Sequence, residues 1–403
     1  MSKSNGYSPS RKVWKLKLLS TLILSTLAGT AYAGGCTSIS TGNYICSGAA
    51  VAGTDVHQRL STGVSSLTVN TDPGFGIITT TDSAFSLGGI GGLSFTDNND
   101  SIITGATFGI TAGGSGVISI TTTGTVTGLT NDGMDVQGLG TDVIIQANNV
   151  FGQEDGIYAT NSAANLAESL SITTTGMVSG TNGDGIYVEN YGTVIGARIN
   201  IQTNNVFGGY RGIEAYNNAL GDLFITSSGS VNGALDSGIY AVNSVNSSDL
   251  TIQALNVSGG VYGIDAENHG DGALSITTTG LVAGLNGSGI NAYNEGTDLI
   301  IHVADVSGSD GIIANQAGTG ALSITATGSV MGSSNGAYGI LASNSANATD
   351  LTVQANNVTG GAYGIYAQQS GNGVASITAT GLVMSTIQSG LYAQNDSSAG
   401  MVI

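Results

Sequence analysis

Apolar and variable positions alternate in a short segment that returns along most of the chain. The segment reads Gly-Ile-Tyr-Ala, or a near variant, eleven times, and its glycines are 22 to 29 residues apart. The second and fourth positions are apolar in every copy, whereas the third holds acids, tyrosines, asparagine or aliphatic residues. Such alternation predicts a β-strand with one buried face. The glycines of the copies are Gly133, Gly156, Gly185, Gly212, Gly238, Gly263, Gly289, Gly311, Gly339, Gly364 and Gly390.

A second segment opens each unit and comes in two alternating kinds. One kind is typified by LSITTTG at 170–176, and the other by VIIQANNV, which ends at Val150. Both kinds place two apolar residues and one small residue at alternate positions, which predicts a second strand with a buried face. The full repeat therefore contains two units of about 26 residues.

A regular unit of this length predicts one coil, or rung, of a parallel β-helix, in which each strand pairs with its counterpart in the next rung. With ~4.8 Å between rungs, the eleven copies would make a rod of roughly 50 Å. We expect an all-β parallel solenoid with regular repeats over residues 117–403 and a cap with irregular first rungs over 34–116. The last repeat is expected to be cut part of the way through.

Composition supports this fold class and excludes others. The 403 residues include 65 glycines but only two prolines, and 40% of the residues are hydrophobic. A chain this apolar is expected to fold, and the near absence of proline excludes a collagen-like helix.

Residues 1–33 have the pattern of a secretory signal peptide. Five basic residues precede the apolar run 18–28, and Ala31-Tyr32-Ala33 supplies small residues for cleavage between Ala33 and Gly34. An apolar run of about eleven residues is too short to span a membrane. We therefore expect export and a mature chain that begins at Gly34.

The predicted mature chain is strongly acidic. Removing five of the eight basic residues leaves three against 26 acids, a net charge of −23. Such a surface repels nucleic acid and anionic membranes, so neither is an expected partner.

Cys36 and Cys46 are the only cysteines. In an oxidising compartment we expect them to form a disulfide. Few histidines are available near them, so no metal site is predicted and no cofactor is assigned.

The chain offers little for catalysis. Outside the predicted signal it contains three arginines and no lysine, and no nucleophile motif surrounds a serine. Acids that precede a glycine, such as Asp155, Asp184 and Asp310, are typical turn residues. We predict a non-enzymatic protein; a secreted carbohydrate-active β-helix remains the alternative.

A second alternative comes from the threonines of the opening strands. Thr-x-Thr pairs such as Thr173/Thr175 are similar to those of ice-binding solenoids, yet along the column threonine alternates with glutamine or with His302. Hydrogen-bonded ladders on a solvated sheet explain this column better, so an ice-binding or surface-layer solenoid is kept as a lesser alternative.

The variable column suggests a binding face. Five tyrosines share it, with acids between some of them, and exposed aromatic rings on a rod could stack on sugars or anchor a partner. Stacking of these rings on neighbouring rungs is the competing interpretation. The tyrosines are Tyr158, Tyr187, Tyr240, Tyr366 and Tyr392.

Together, the long basic signal, the start GGCTSISTGNYICSG, the scarcity of lysine and cysteine and the Ser/Thr/Asn/Gly-rich repeats resemble the passenger domain of an autotransporter, the type V secretion family of Gram-negative bacteria. The resemblance covers residues 1–403 and rests on architecture and composition. It implies Sec export, display at the cell surface or release, and a role in adhesion, aggregation or biofilm formation. The implied partner is a component or glycan of a host or neighbouring cell. The family's C-terminal translocator barrel is not found within these residues.

Overall fold

The computed structural model describes residues 33–63, 65–162 and 169–403, and all of its regular elements are β-strands. The predicted signal peptide lies outside the described residues except for Ala33. The strands form two parallel sheets, which confirms the predicted all-β parallel solenoid. It has about 14 rungs.

One sheet, called here the tyrosine sheet, receives one strand from each rung. From the fourth strand onward its strands contain the Gly-Ile-Tyr-Ala segments, and each strand pairs in parallel with its neighbours in the adjacent rungs. The strands are Gln58–Thr62, Phe85–Gly89, Ile110–Gly114, Met134–Gly138, Ile157–Asn161, Ile186–Asn190, Ile213–Asn217, Ile239–Asn243, Ile264–Asn268, Ile290–Asn294, Ile312–Gln316, Tyr338–Asn344, Tyr363–Gln369 and Leu391–Asn395.

The other sheet, called the wide sheet, contains the opening segments. Some rungs supply one long strand with an irregularity in its middle, and others supply two short strands. The strands are Gly35–Ser40, Asn43–Ser47, Leu67–Thr71, Gly76–Ile78, Leu93–Asp97, Ile102–Gly105, Ile118–Gly128, Val143–Gly152, Leu170–Thr174, Met177–Gly180, Ile199–Thr203, Asn205–Gly208, Leu223–Gly233, Leu250–Gly259, Leu274–Thr278, Leu281–Gly284, Leu299–Val303, Asp305–Gly308, Leu322–Gly332, Leu351–Gly360, Ala375–Ala379, Val383–Ser385 and Met401–Val402.

The core consists of stacks of like residues. In the tyrosine sheet, Ile239 and Ala241 point inward and are fully buried, and the same two positions are buried in most other rungs. Leu250 and Ile252 of the wide sheet face them from the other side of the core and are equally buried. Each buried isoleucine or leucine contributes roughly 1.5–3 kcal/mol, so the apolar stacks provide the main stabilisation of the rod.

A polar stack also runs through the interior, and the sequence interpretation missed it. The last position of the tyrosine-sheet strands points inward and is a buried asparagine or glutamine from Asn161 to Gln369. The side-chain amide of Asn243 donates to Oδ1 of Asn268 at 3.2 Å, and that of Asn268 donates to Oδ1 of Asn294 at 2.8 Å. Asn217 donates to Asn243 in the same way, at 3.1 Å. From Asn217 to Gln316 the buried amides therefore satisfy one another from rung to rung.

Hydrogen bonds at the corner of the wide sheet explain why one kind of rung is followed by the other. Asn256 Oδ1 accepts the N–H of Leu281 in the next rung at 3.0 Å, and Gly280 precedes that leucine. A Cβ atom on Gly280 would lie 2.3 Å from this Oδ1. An asparagine rung must therefore be followed by a glycine rung. The same pairing joins Asn149 to Met177, Asn205 to Ser230, Asp305 to Ser329 and Asn357 to Leu382.

An antiparallel hairpin stands at the N-terminal end of the described residues. Its strands Gly35–Ser40 and Asn43–Ser47 pair with each other, and the second strand pairs in parallel with Leu67–Thr71 of the next rung. Cys36 and Cys46 face each other across the hairpin and are joined by a disulfide. Gly34, the first residue after the predicted cleavage position, is buried and donates its N–H to Asp55 at 2.9 Å.

Candidate binding face

The five predicted tyrosines lie in one outward column of the tyrosine sheet. The strand pairing places them at the same position of their strands. Some are in adjacent rungs, and in the rungs between the others a different residue occupies this position. They fall into two groups, one with Tyr158, Tyr187 and Tyr240 and the other with Tyr366 and Tyr392. The full column from the fourth rung is Asp135, Tyr158, Tyr187, Glu214, Tyr240, Asp265, Asn291, Ile313, Leu341, Tyr366 and Tyr392.

In the first group the rings pack on one another. The rings of Tyr158 and Tyr187 are parallel, with centroids 4.9 Å apart. Tyr216 extends the contact to Tyr240, with centroids 5.7 Å apart in an edge-to-face arrangement. Tyr216 lies two residues after Glu214, in the neighbouring outward column, and the sequence interpretation did not include it. These rings are half-buried and pack on neighbouring rungs, which is the arrangement of the competing interpretation.

In the second group four rings form a similar cluster. Tyr366 and Tyr392 stack with centroids 4.8 Å apart, and Tyr338 and Tyr363 stack at 5.8 Å beside them. Tyr338 and Tyr363 each precede the glycine of the repeated segment. Tyr392 is 38% exposed and presents the largest accessible surface of the five predicted tyrosines.

A single arginine is inserted into the first group. Arg211 forms ion pairs with Glu214 and Asp236, the latter at 2.7 Å. Its guanidinium carbon also lies 4.3 Å from the ring centre of Tyr240, in cation–π contact. Glu214 is only 6% exposed, although the sequence places it in the outward column. Arg211 and Tyr240 cover Glu214, and the strand pattern alone does not indicate this burial.

Acids that precede the repeated glycine form a column at the edge of the same face. Asp132 Oδ1 accepts the N–H of Asp155 at 3.0 Å, and Asp155 Oδ1 accepts the N–H of Asp184 at 2.7 Å. Burial raises the pKa of Asp132 and of Asp155 to about 6, and this backbone hydrogen bond offsets part of the effect. Burial and the neighbouring Glu214 also raise the pKa of Asp184. Their hydrogen bonds give these acids a role in turn structure.

The opening strands contain the predicted threonine column on the opposite side of the rod. Its register is as predicted, and threonine returns at every second rung. The outward column is Thr121, Gln146, Thr173, Gln202, Thr226, Gln253, Thr277, His302, Thr325, Gln354 and Thr378.

The part of the chain that the structure describes contains no helix with the length and hydrophobicity needed to cross a membrane. Within the same residues, no three His, Cys, Asp or Glu side chains are grouped in a way that could hold a metal ion.

Any functional assignment therefore rests on the solenoid fold and on the outward face of the tyrosine sheet. No protein-family model, curated protein or solved structure matches the chain. The class that the structure defines is a parallel β-solenoid with an acidic, tyrosine-bearing outward face.

Proposed function

We propose that the chain is a surface-displayed, non-enzymatic adhesion rod of the autotransporter passenger type, which attaches cells through the outward face of the tyrosine sheet. The observation that carries the proposal is the pair of tyrosine groups, held at fixed spacing along a rigid rod. Tyrosines restrained by their neighbours lose little conformational entropy when a partner binds, and their hydroxyl groups can hydrogen-bond.

The charged groups of the face indicate which kinds of partner could bind to it. Apart from Arg211, the charged groups around Tyr158, Tyr187 and Tyr240 are acids, so this part of the face repels anionic groups and favours neutral or cationic ones. A neutral glycan or a basic protein segment on a neighbouring cell has suitable chemistry for this first tyrosine group. The signal-like N-terminus and the lack of lysine outside it support export as a passenger, with a translocator barrel as the expected partner in the outer membrane.

Cell attachment tests the proposal directly. The chain is fused to an autotransporter barrel, displayed on non-adherent bacteria and scored for cell–cell and cell–surface attachment. Changing Tyr158, Tyr187, Tyr240, Tyr366 and Tyr392 together to serine is expected to reduce attachment to the level of the barrel alone. Circular dichroism of the purified variant checks that the β-structure is kept.

A matched control lies in the same column. Ile313 and Leu341 sit between the two tyrosine groups and are half-buried like them. Changing both to serine removes apolar surface but no aromatic ring, so attachment should persist. Unchanged attachment in the tyrosine variant would contradict the proposed face, and cleavage of a polysaccharide by the purified rod would contradict the non-enzymatic assignment.

A further inference from the structure

A cleft opens on the tyrosine sheet where the first tyrosine group ends, across the first four rungs. Its volume is about 340 Å³. Arg59 lies at one end and Asp135 at the other, and Tyr158 follows Asp135 in the next rung. The columns in between contain Ser86 and Thr111, with Gly88 and Gly113 beside them. The cleft is therefore lined by a cation, hydroxyl groups and a carboxylate, and an aromatic ring stands beyond it.

Hydrogen bonds orient the polar groups of the cleft but do not use all of their donors and acceptors. Gln137 donates to Asp135 Oδ1 at 3.0 Å, and burial raises the pKa of Asp135. Ser86 Oγ is 2.8 Å from His57 Nε2 and accepts a hydrogen bond from Thr111 at 3.0 Å. Among the described residues, Arg59 has no ion-pair partner. A guanidinium, a carboxylate and an amide thus retain hydrogen-bonding capacity toward the cleft.

The fold does not require the two glycines that leave the cleft open. A Cβ atom on Gly88 would come no closer than 3.5 Å to its nearest neighbour, Ser61, and one on Gly113 no closer than 3.7 Å to Gln137. Neither glycine has a positive φ. Glycine within a strand costs roughly 0.5–1 kcal/mol relative to alanine, so both positions lower stability without a packing reason. By contrast, a Cβ on the adjacent Gly89 or Gly114 would clash with a backbone oxygen at 2.3 Å.

We propose that this cleft binds a short oligosaccharide that has an acidic sugar at the Arg59 end. The inference rests on the proposed adhesive function and assigns a partner chemistry to the same face. The backbone groups of the floor are already paired between strands, so an extended peptide cannot add to the sheet there. A sugar instead needs side-chain donors and acceptors and a flat surface, and three rung spacings provide ~14 Å of floor.

Each end of the cleft recognises a different part of the ligand. Arg59 pairs with the sugar carboxylate, because a guanidinium can donate two parallel hydrogen bonds to it. Asp135 and Gln137 accept from and donate to hydroxyl groups of the neutral rings. Tyr158 contributes the aromatic surface at the far end.

Glycan retention by the exported, purified chain tests the inference. The probe is an array of immobilised neutral, amino and uronic- or sialic-acid-containing oligosaccharides. We expect retention of acidic members and at least tenfold weaker retention by Gly88→Leu and by Gly113→Leu, because the new side chain fills the cleft. Arg59→Gln should lose the preference for acidic over neutral members.

Two controls separate binding from folding. Ser343→Leu introduces the same side chain in the same column nine rungs beyond Gly113, outside the cleft, and should retain glycans normally. The two glycine variants should unfold at the same or a higher temperature than the unchanged chain, whereas a structural role of the glycines would lower that temperature.

The outcomes that overturn the inference are distinct from failure of the adhesion proposal. Absence of retained glycans, equal retention by Gly113→Leu, or equal retention of neutral and acidic members would each overturn it. Capture of an extended peptide that Gly113→Leu abolishes would overturn the saccharide class. A rod that attaches cells but retains no glycan contradicts only the cleft inference, and one that retains glycans without attaching cells contradicts only the adhesion proposal.

Discussion

The buried amides illustrate how single residues depend on the stacking of rungs. An isolated asparagine side chain is costly to bury, but from Asn217 to Asn294 each amide donates to or accepts from an equivalent amide one rung away. The alternation of apolar and variable residues predicted the inward isoleucine and alanine positions correctly. The inward asparagine was missed because asparagine usually marks a turn or the surface, and its buried partner is 25 or 26 residues distant along the chain.

Asn243→Leu is expected to lower the free energy of unfolding by about 1–3 kcal/mol. Leucine fills the space but removes one of the two acceptors of the Asn217 amide, and it takes the amide donor away from the carbonyl of Ser248 and from Asn268 Oδ1. Urea unfolding followed by circular dichroism measures the change. The matched control is Asn315→Leu, because Asn315 is half-buried in an outward column and should change stability by less than ~0.5 kcal/mol. Equal effects would show that the amide stack does not stabilise the rod.

The acid column predicts an unusual dependence of stability on pH. The pKa of Asp155 is about 6 in the folded chain against 3.8 for an unperturbed aspartate, so between these values the folded rod binds more protons than the unfolded chain. Stability therefore falls as the pH rises through this range, and Asp132 and Asp265 act in the same direction. The rod should be more stable near pH 4 than near pH 8.

Asp155→Asn should flatten this profile. Asparagine keeps an oxygen that can accept the N–H of Asp184 but removes the buried charge. We expect the free energy of unfolding to rise by about 1 kcal/mol at pH 8 and by almost nothing at pH 4. A full pKa shift of two units would correspond to ~3 kcal/mol, but the effect is smaller here because the carboxyl group is partly solvated. Asp305→Asn is the control, since Asp305 also accepts a backbone N–H but is exposed. A steeper profile in Asp155→Asn would contradict the assignment.

At the scale of strands, the two kinds of rung are complementary parts of one corner. The sequence shows that they alternate, but the reason requires the pairing of Asn256 with Leu281 and the contact of Gly280 with the same amide. The column that holds the five tyrosines was likewise predictable from strand periodicity. Tyr216 and Arg211 were not, because they reach the tyrosines from a second outward column and from the preceding turn.

This complementarity can be measured with a double-mutant cycle. Asn256→Ala should cost about 1 kcal/mol, because the N–H of Leu281 loses its partner but can reach water. Gly280→Ala should cost more, since its Cβ would crowd both Asn256 Oδ1 at 2.3 Å and the carbonyl oxygen of Leu255 at 2.7 Å. In the double variant part of the crowding is relieved, so the cost should be below the sum of the two. If the two costs add, Asn256 and Gly280 do not interact, and the proposed complementarity is wrong.

At the scale of the whole molecule, most contacts join neighbouring rungs, so the solenoid is close to one-dimensional. In such a structure a local change affects nearby rungs most. The N-terminal end is closed by the disulfide-linked hairpin, whose second strand covers the edge of Leu67–Thr71. The hairpin should therefore protect the first rungs and have little influence on distant ones.

Reduction of the disulfide between Cys36 and Cys46 tests this one-dimensional behaviour. The bond closes a loop between residues ten positions apart, and a loop of this size contributes roughly 2–3 kcal/mol to the hairpin. After reduction, amide hydrogen exchange should accelerate over residues 35–97 and stay unchanged over 250–360, because opening a terminal rung exposes only the next one. The double variant Cys36→Ser with Cys46→Ser should give the same map without reductant. Faster exchange along the entire rod would mean that the rungs unfold as one unit, whereas no change in the first rungs would mean that the hairpin holds without its disulfide.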